Sequence, residues 1–329
     1  MDLFFHALLP YLLGSFLRLE KRLLAALVLG GIAPDLDVSL SLINNVYTTS
    51  LLLVHRGISH TIFFGFFFAL IIFYLASREQ IKSFLGRFIK FDLDFSVESF
   101  AFVYAGVLIH LVVDYTTTRG IPLFYPWQAV RYSADIFSQI EPIILIASLL
   151  VLAELIRERH RIAFNKNLMI VFVLIFLIVG GIRIEGKASA ESFFSGLNEE
   201  VHPDSNLFSW VALENDSDQF LVYGYDSLTG KVTNSSAFAK ITVASSITEA
   251  EKAIGAAEIL PQVKLFRWRA YAVAINAKSQ QNGTWDIEYY DPLVRAQMAN
   301  SGPVFRPALK GYGSVGVRVE DGVARVVEG

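Results

Sequence analysis

Apolar positions in this chain gather into six long runs, all before residue 185: 3–17, 22–34, 58–76, 98–118, 136–156 and 167–184. A helix needs about 20 mainly apolar residues to cross a hydrocarbon core of ~30 Å. The last four runs meet or approach that length. The first two are shorter and read as a helical hairpin turning at Arg18–Arg22, with a partly re-entrant pair as the alternative. The pattern thus predicts a polytopic α-helical membrane bundle of six segments. Beyond Arg183 it changes to short alternating runs, QFLVYGY (219–225) and WDIEYY (285–290), which predict half-buried strands. DSLTG (226–230) reads as a hairpin turn. The predicted organisation is a membrane-embedded helical domain over 1–184, a linker over 185–205, and a soluble β-rich domain over 206–329.

Composition sharpens this picture. The chain is 53% hydrophobic with a mean hydropathy of +0.47, too apolar for an ordinary soluble protein. Its net charge of −3 gives no electrostatic case for a nucleic-acid partner. Cysteine is absent, so any transition-metal site must use His, Asp and Glu. The basic cluster Arg18, Lys21 and Arg22 follows the first apolar run instead of preceding it, which reads as a retained helix rather than a cleaved signal. Lys and Arg also gather in the loops 77–97 (Arg78, Lys82, Arg87, Lys90) and 157–166 (RERHRIAFNK). With six alternating segments these loops share one side, which the positive-inside rule makes cytoplasmic. The chain is then expected to be a multi-pass protein of the inner (plasma) membrane with its C-terminal domain extracytoplasmic.

A few ionisable residues stand out against the apolar runs: His6, Asp35, Asp37, His55, His60, His110, Asp114 and Glu141. Such groups in or beside membrane helices are costly and usually functional. On the six-segment topology all eight fall at the outer level. His110 and Asp114 in LIHLVVD are four residues apart and share one helical face. Asp35 and Asp37 in APDLD follow a helix end, where an extended segment would point both carboxylates the same way. A mixed His/carboxylate set suits zinc, manganese or iron better than calcium, and it offers ligands for more than one ion. Each element also has a plainer reading. PDLD fits a helix stop, His110 with Asp114 a hydrogen-bonded pair, and Tyr104, Trp127 and Tyr132 interfacial aromatics.

The ordered series His6, PDLD (34–37), HRGISHT (55–61) and HLVVDYTTTRGIPLFYP (110–126) resembles the membrane-bound metal-dependent hydrolases, also described as LexA-binding, inner-membrane-associated hydrolases. NLFSWVALENDSDQFLVYGYDSLTG (206–230) is similar to the extramembrane domain that many members carry. The resemblance implies a helical bundle distantly like the zinc-dependent phospholipase C and single-strand nuclease group. It also implies a metal set of His6, Asp35, Asp37, His55, His60, His110 and Asp114. Glu141 has no motif to secure it, and nothing in the sequence reads a DNA-regulator contact.

The expected function is hydrolysis of an ester or phosphoester at the outer membrane surface by a metal-activated water. The cofactor is a divalent ion, zinc first and manganese or iron as alternatives, with more than one ion allowed by the ligand count. Asp35 or Asp37 is the candidate general base, and Arg56, with Arg119, is the candidate anchor for anionic oxygens. The position predicts membrane lipids as surroundings and an amphiphilic or lipid-linked substrate. The rival is a non-catalytic metal-binding or anchoring protein whose outer β-rich domain binds a partner.

Overall fold

A computed structural model describes residues 3–38, 54–85, 93–157, 166–196, 199–244, 246–280, 283–300 and 313–327. These residues form two compact units, one ending at Arg183 and the other beginning at Ile184.

The first unit is helical: α1 Leu3–Phe16, α2 Lys21–Ile32, α3 Ile62–Ala76, α4 Glu79–Leu85, α5 Val97–Tyr115, α6 Pro142–Arg157 and the start of α7 Lys166–Phe193. The six apolar runs all become helices, but they do not make a six-span bundle. Among the described residues, only α5 and Asn167–Phe193 of α7 are long and apolar enough to cross a membrane. The other four have 14, 12, 15 and 16 residues. They rise only about 18–24 Å, short of a ~30 Å core. Run length overstated helix length because polar-competent turns consume the ends. Ile58–His60 is a 3-10 turn, and Thr61 then caps α3 by accepting from Phe64 N at 2.9 Å. The run 136–156 becomes helical only at Pro142. The topology deduced by alternation falls with the count. Arg87, Lys90 and residues 158–165, part of that charge argument, lie outside the described residues.

PDLD is likewise not extended. Pro34–Asp37 is one 3-10 turn directly after α2. Its tighter winding sends Asp35 and Asp37 in different directions.

Three glycines set the closest helix contact. A Cβ on Gly30 would lie 1.8 Å from Val103 O, and one on Gly106 would lie 2.2 Å from Leu27 O. At Gly31 it would meet His6 O at 2.4 Å. Bare backbone at these positions lets α2 press against α5 and α1. Ala26, Val103, Val107 and Leu111 fill the space below, with Ala69 and Phe73 of α3.

The second unit carries two sheets. The first is an antiparallel meander of β1 Glu199–Pro203, β2 Ser209–Asn215, β3 Gln219–Asp226 and β4 Lys231–Ala239. The turn at 226–230 joins β3 to β4, with Gly230 at φ 66° and Thr229 N donating to Asp226 Oδ1. The second sheet holds β5 Ile241–Val243, β6 Ala274–Ser279, β7 Trp285–Tyr290, β8 Ser314–Glu320 and β9 Val323–Val327. Its β5–β6 pair is parallel, and α8 Ile247–Glu258 and α9 Pro261–Arg269 make that crossover. Ala250, Ala253 and Ala257 of α8 pack with Phe266 against Ile275, Ile287 and Val317. A further helix, α10 Pro292–Asn300, buries Leu293 against Val211, Leu213 and Val222 of the first sheet. The segment 185–205, expected as a linker, holds the end of α7 and β1.

Candidate metal centre

Four elements bring the ionisable residues together at one end of the helices. His6 comes from the first turn of α1, Asp35 and Asp37 from the turn after α2, and His55 and His60 from the HRGISH segment before α3. His110 and Asp114 come from the last turns of α5. All but Asp35 and His55 are essentially withdrawn from solvent.

At the centre four donor atoms converge. His60 Nε2 faces His110 Nε2 at 3.2 Å. Asp35 Oδ1 lies 3.5 and 3.6 Å from these two nitrogens, and Asp114 Oδ2 lies 3.5 and 3.6 Å from them as well. A tetrahedral ion with bonds of about 2.0–2.1 Å needs ligand–ligand edges of about 3.3–3.4 Å. The separation of the two nitrogens from each other and from each carboxylate oxygen is close to the edges of such a shell.

The outer nitrogens of both imidazoles are committed. His110 Nδ1 lies 2.7 Å from Gly31 O, a carbonyl that can only accept, so Nδ1 carries the hydrogen. Ser59 Oγ donates to Asp37 Oδ2 at 2.5 Å and so accepts from His60 Nδ1 at 2.9 Å. In the neutral rings both Nε2 atoms then present lone pairs to each other beside two carboxylates. That juxtaposition is repulsive until a positive charge enters it. Burial opposes charge on His60, but hydrogen bonds to Asp35 and Asp37 and the fields of Asp37 and Asp114 outweigh it, raising its pKa to about 9. Burial likewise opposes ionisation of Asp35, yet the surrounding His60, His110 and His6 hold it below the usual carboxylate range.

Two further groupings flank this centre. His6 stacks on His110 with ring centroids 3.8 Å apart, and its Nε2 is 3.2 Å from Asp114 Oδ1. On the other side His55 Nδ1 lies 2.8 Å from Asp37 Oδ1, and the His55 side chain is 29% exposed. His6 with His110 and Asp114, Asp35 with His60 and His110, and Asp37 with His55 and His60 each offer donor atoms within 4.8 Å of one another.

Arg56 sits inside the wall. Its Nη2 donates to Asp114 Oδ1 at 2.7 Å, and Nη1 donates to Thr117 Oγ1 and Thr118 O at 3.1 Å. Its backbone N donates to Asp37 Oδ2 at 3.2 Å, and its φ of 59° makes the sharp turn between the two histidines. Arg119 is buried too, at φ 69°. Arg131 gathers these turns: Nε donates to Arg119 O, Nη2 to Gly120 O and Nη1 to Arg56 O, at 2.7, 2.7 and 3.3 Å. Glu141 stands apart from the donor set. It receives Arg183 Nη2 at 2.8 Å and Nε at 3.1 Å, a pair with both side chains buried.

Ser59, Gly31 O, Thr117 and Arg131 escaped the sequence reading. Ser59 lies between two expected ligands and Thr117 within TTTRG, so motif position is the signal that could have found both. A backbone carbonyl and an arginine 75 residues from its partner leave no local signal.

No curated protein and no solved structure matches the chain. Residues 1–186, which contain the whole donor set, match the YdjM inner membrane protein family. The chain belongs to the YdjM inner membrane protein family.

Proposed function

We propose that the protein is a metal-dependent hydrolase of the inner membrane acting on an ester or phosphoester of an amphiphilic substrate. His60, His110, Asp35 and Asp114 would hold one divalent ion, zinc in the first instance and manganese or iron as alternatives. His6 offers a further donor for a second ion. The observation that carries this reading is the pair of facing Nε2 atoms, 3.2 Å apart, with both Nδ1 atoms already engaged. Histidines fixed in this way by a carbonyl and a hydroxyl–carboxylate relay have the second-shell arrangement of metal ligands. A bound divalent ion supplies Lewis acidity and brings a water towards ionisation near neutral pH.

The remaining residues have separable roles in this proposal. Asp37 orients His55, whose partly exposed ring exchanges a proton with the attacking water or the leaving group. Arg56 balances the buried charge of Asp114 and fixes its orientation, so its task is positioning. The helix directions support a choice of membrane side. The donors sit at the start of α1 and the end of α2, whereas Arg18, Lys21 and Arg22 sit at the opposite ends. Arg78 and Lys82 likewise follow the far end of α3. The positive-inside rule then favours an extracytoplasmic donor set.

Elemental analysis of protein in lipid nanodiscs, loaded with zinc or manganese and dialysed, tests the reading. Wild type and the distal variant Glu154→Gln are expected to retain near-stoichiometric metal. Asp35→Asn and His110→Gln, which each remove a proposed ligand, are expected to lose most of it. Phosphoester and lipid-ester hydrolysis should fall with a chelator and return on reloading. Metal-free wild type after loading, or equal content in all four proteins, refutes the proposal.

A further inference from the structure

The outer surface around the donor set is apolar on every element that contributes to it. Leu3 and Phe4 flank His6, and Leu36 and Val38 flank the two aspartates. Ile62 and Phe63 follow His60, and Val112 and Tyr115 bracket Asp114. All eight are exposed, Val112 at 64%. The helix exteriors therefore stay hydrophobic up to the level of the ligands, where a water-facing site would have a charged collar.

The segment after α5 extends this surface. Ile121 and Tyr132 pair antiparallel through N–H to O bonds of 3.0 and 2.9 Å, making a narrow base beside Arg56 and Arg119. Between them the chain turns at Phe124–Gln128. From Gly120 to Val130, GIPLFYPWQAV, there is no Asp, Glu, Lys, Arg or His. Phe124, Trp127 and Val130 project outward, Trp127 at 71% exposure. The segment is not detached: Ile62 N donates to Leu123 O at 3.0 Å, and the Trp127 ring meets Phe63 edge-on at 5.3 Å. Phe63 in turn touches Phe67, and Phe67 touches Phe66. Thus Trp127 forms the end of a continuous aromatic surface on the exposed face of α3. In an inner membrane protein, lipid that covers Phe67 and Ile71 also reaches Trp127. Indole, with an apolar body and one N–H, is suited to the headgroup–acyl boundary.

We infer that the 121–132 segment is a membrane-seated element, with Trp127 at the boundary between phospholipid headgroups and acyl chains. The donor set then lies at that same depth. Combined with the hydrolase reading, on which only this clause rests, it means that the substrate arrives sideways from the bilayer. Its polar head meets His55 and its chain lies along Phe63 and Trp127.

Tryptophan quenching by brominated phospholipids tests the placement in full-length protein in nanodiscs. The emission difference between wild type and Trp127→Phe isolates Trp127 from the three tryptophans of the second unit. Bromines near the glycerol end of the acyl chain should reduce that difference the most. Bromines near the chain terminus should act less, and aqueous iodide least. A second probe avoids reliance on one variant. Because the chain has no cysteine, Val130→Cys gives a unique spin-label site, which should be more accessible to dissolved oxygen than to a water-soluble nickel chelate. Iodide quenching without bromolipid quenching, strongest quenching by the deep bromines, or protection from every quencher each overturns the inference. The readouts need neither metal nor turnover, so they stand or fall separately from the hydrolase reading.

Discussion

The contact between α2 and α5 offers a sharp test, because the close helix approach and the ligand geometry depend on the same few atoms. Gly30→Ala would place a methyl group 1.8 Å from Val103 O, 2.7 Å from Val103 C and 3.0 Å from Gly106 Cα. Every one of these is backbone, so no side chain can rotate away. Restoring an ordinary contact requires the helices to part by about 1.5 Å. The adjacent Gly31 O would then move from 2.7 Å to about 4 Å from His110 Nδ1, beyond hydrogen-bonding distance. Overpacking of this kind costs about 3 kcal/mol, or roughly 150-fold in the folded-to-unfolded ratio. For a unit of this size the melting temperature should fall by about 6–12 °C. Zinc affinity should drop about 10–100-fold from loss of the orienting bond. The assay is thermal unfolding in detergent with and without zinc, beside Gly181→Ala, where a methyl group meets nothing within 4 Å. A Gly30→Ala protein that melts within about 1 °C of wild type and keeps its metal refutes the reasoning.

Three other outcomes follow from charge and propensity. Glu141→Gln leaves Arg183 buried without its counter-charge and should cost about 3–5 kcal/mol, whereas Glu141→Leu with Arg183→Met should recover most of that loss in the same melting assay. Glu199 lies directly across from Glu214, and burial followed by repulsion from Glu214 raises its pKa from 4.5 to about 7. The folded second unit therefore holds a proton that the unfolded chain releases, and its stability should fall as pH rises from 4.5 to 7. Glu199→Gln should flatten that slope and raise stability at pH 8 by about 1 kcal/mol once solvent screening is allowed for, read from tryptophan-monitored urea unfolding; an unchanged slope contradicts the assignment. Gly255→Ala, in α8 with open space around it, should stabilise the second unit by about 0.5–1 kcal/mol in the same titration.

Helix positions and the gathering of the ionisable residues were largely legible in the sequence, because both follow from local pattern. The i, i+4 spacing of His110 and Asp114 fixed one helical face, and the structure has their Nε2 and Oδ2 atoms 3.6 Å apart. The number of crossings was not legible. Apolar runs report burial or lipid exposure, but where Thr61 or Pro142 starts a helix decides how far it reaches. The winding of PDLD was also misread, since a proline and two aspartates suit both an extended segment and a 3-10 turn. Helix α8 was missed for another reason. Its buried stripe is Ala250, Ala253 and Ala257, residues too small to raise a hydrophobic signal although they sit at helical spacing. The outer hydrogen bonds of the histidines depend on long-range approach, which no local pattern encodes.

The three carbonyls gathered by Arg131 have a mechanical consequence. Two chain reversals, one at Arg56 and one at Arg119–Gly120, share a single planar group as a hydrogen-bond donor. The two turns, 63 residues apart in the chain, are thus tied side to side by one guanidinium.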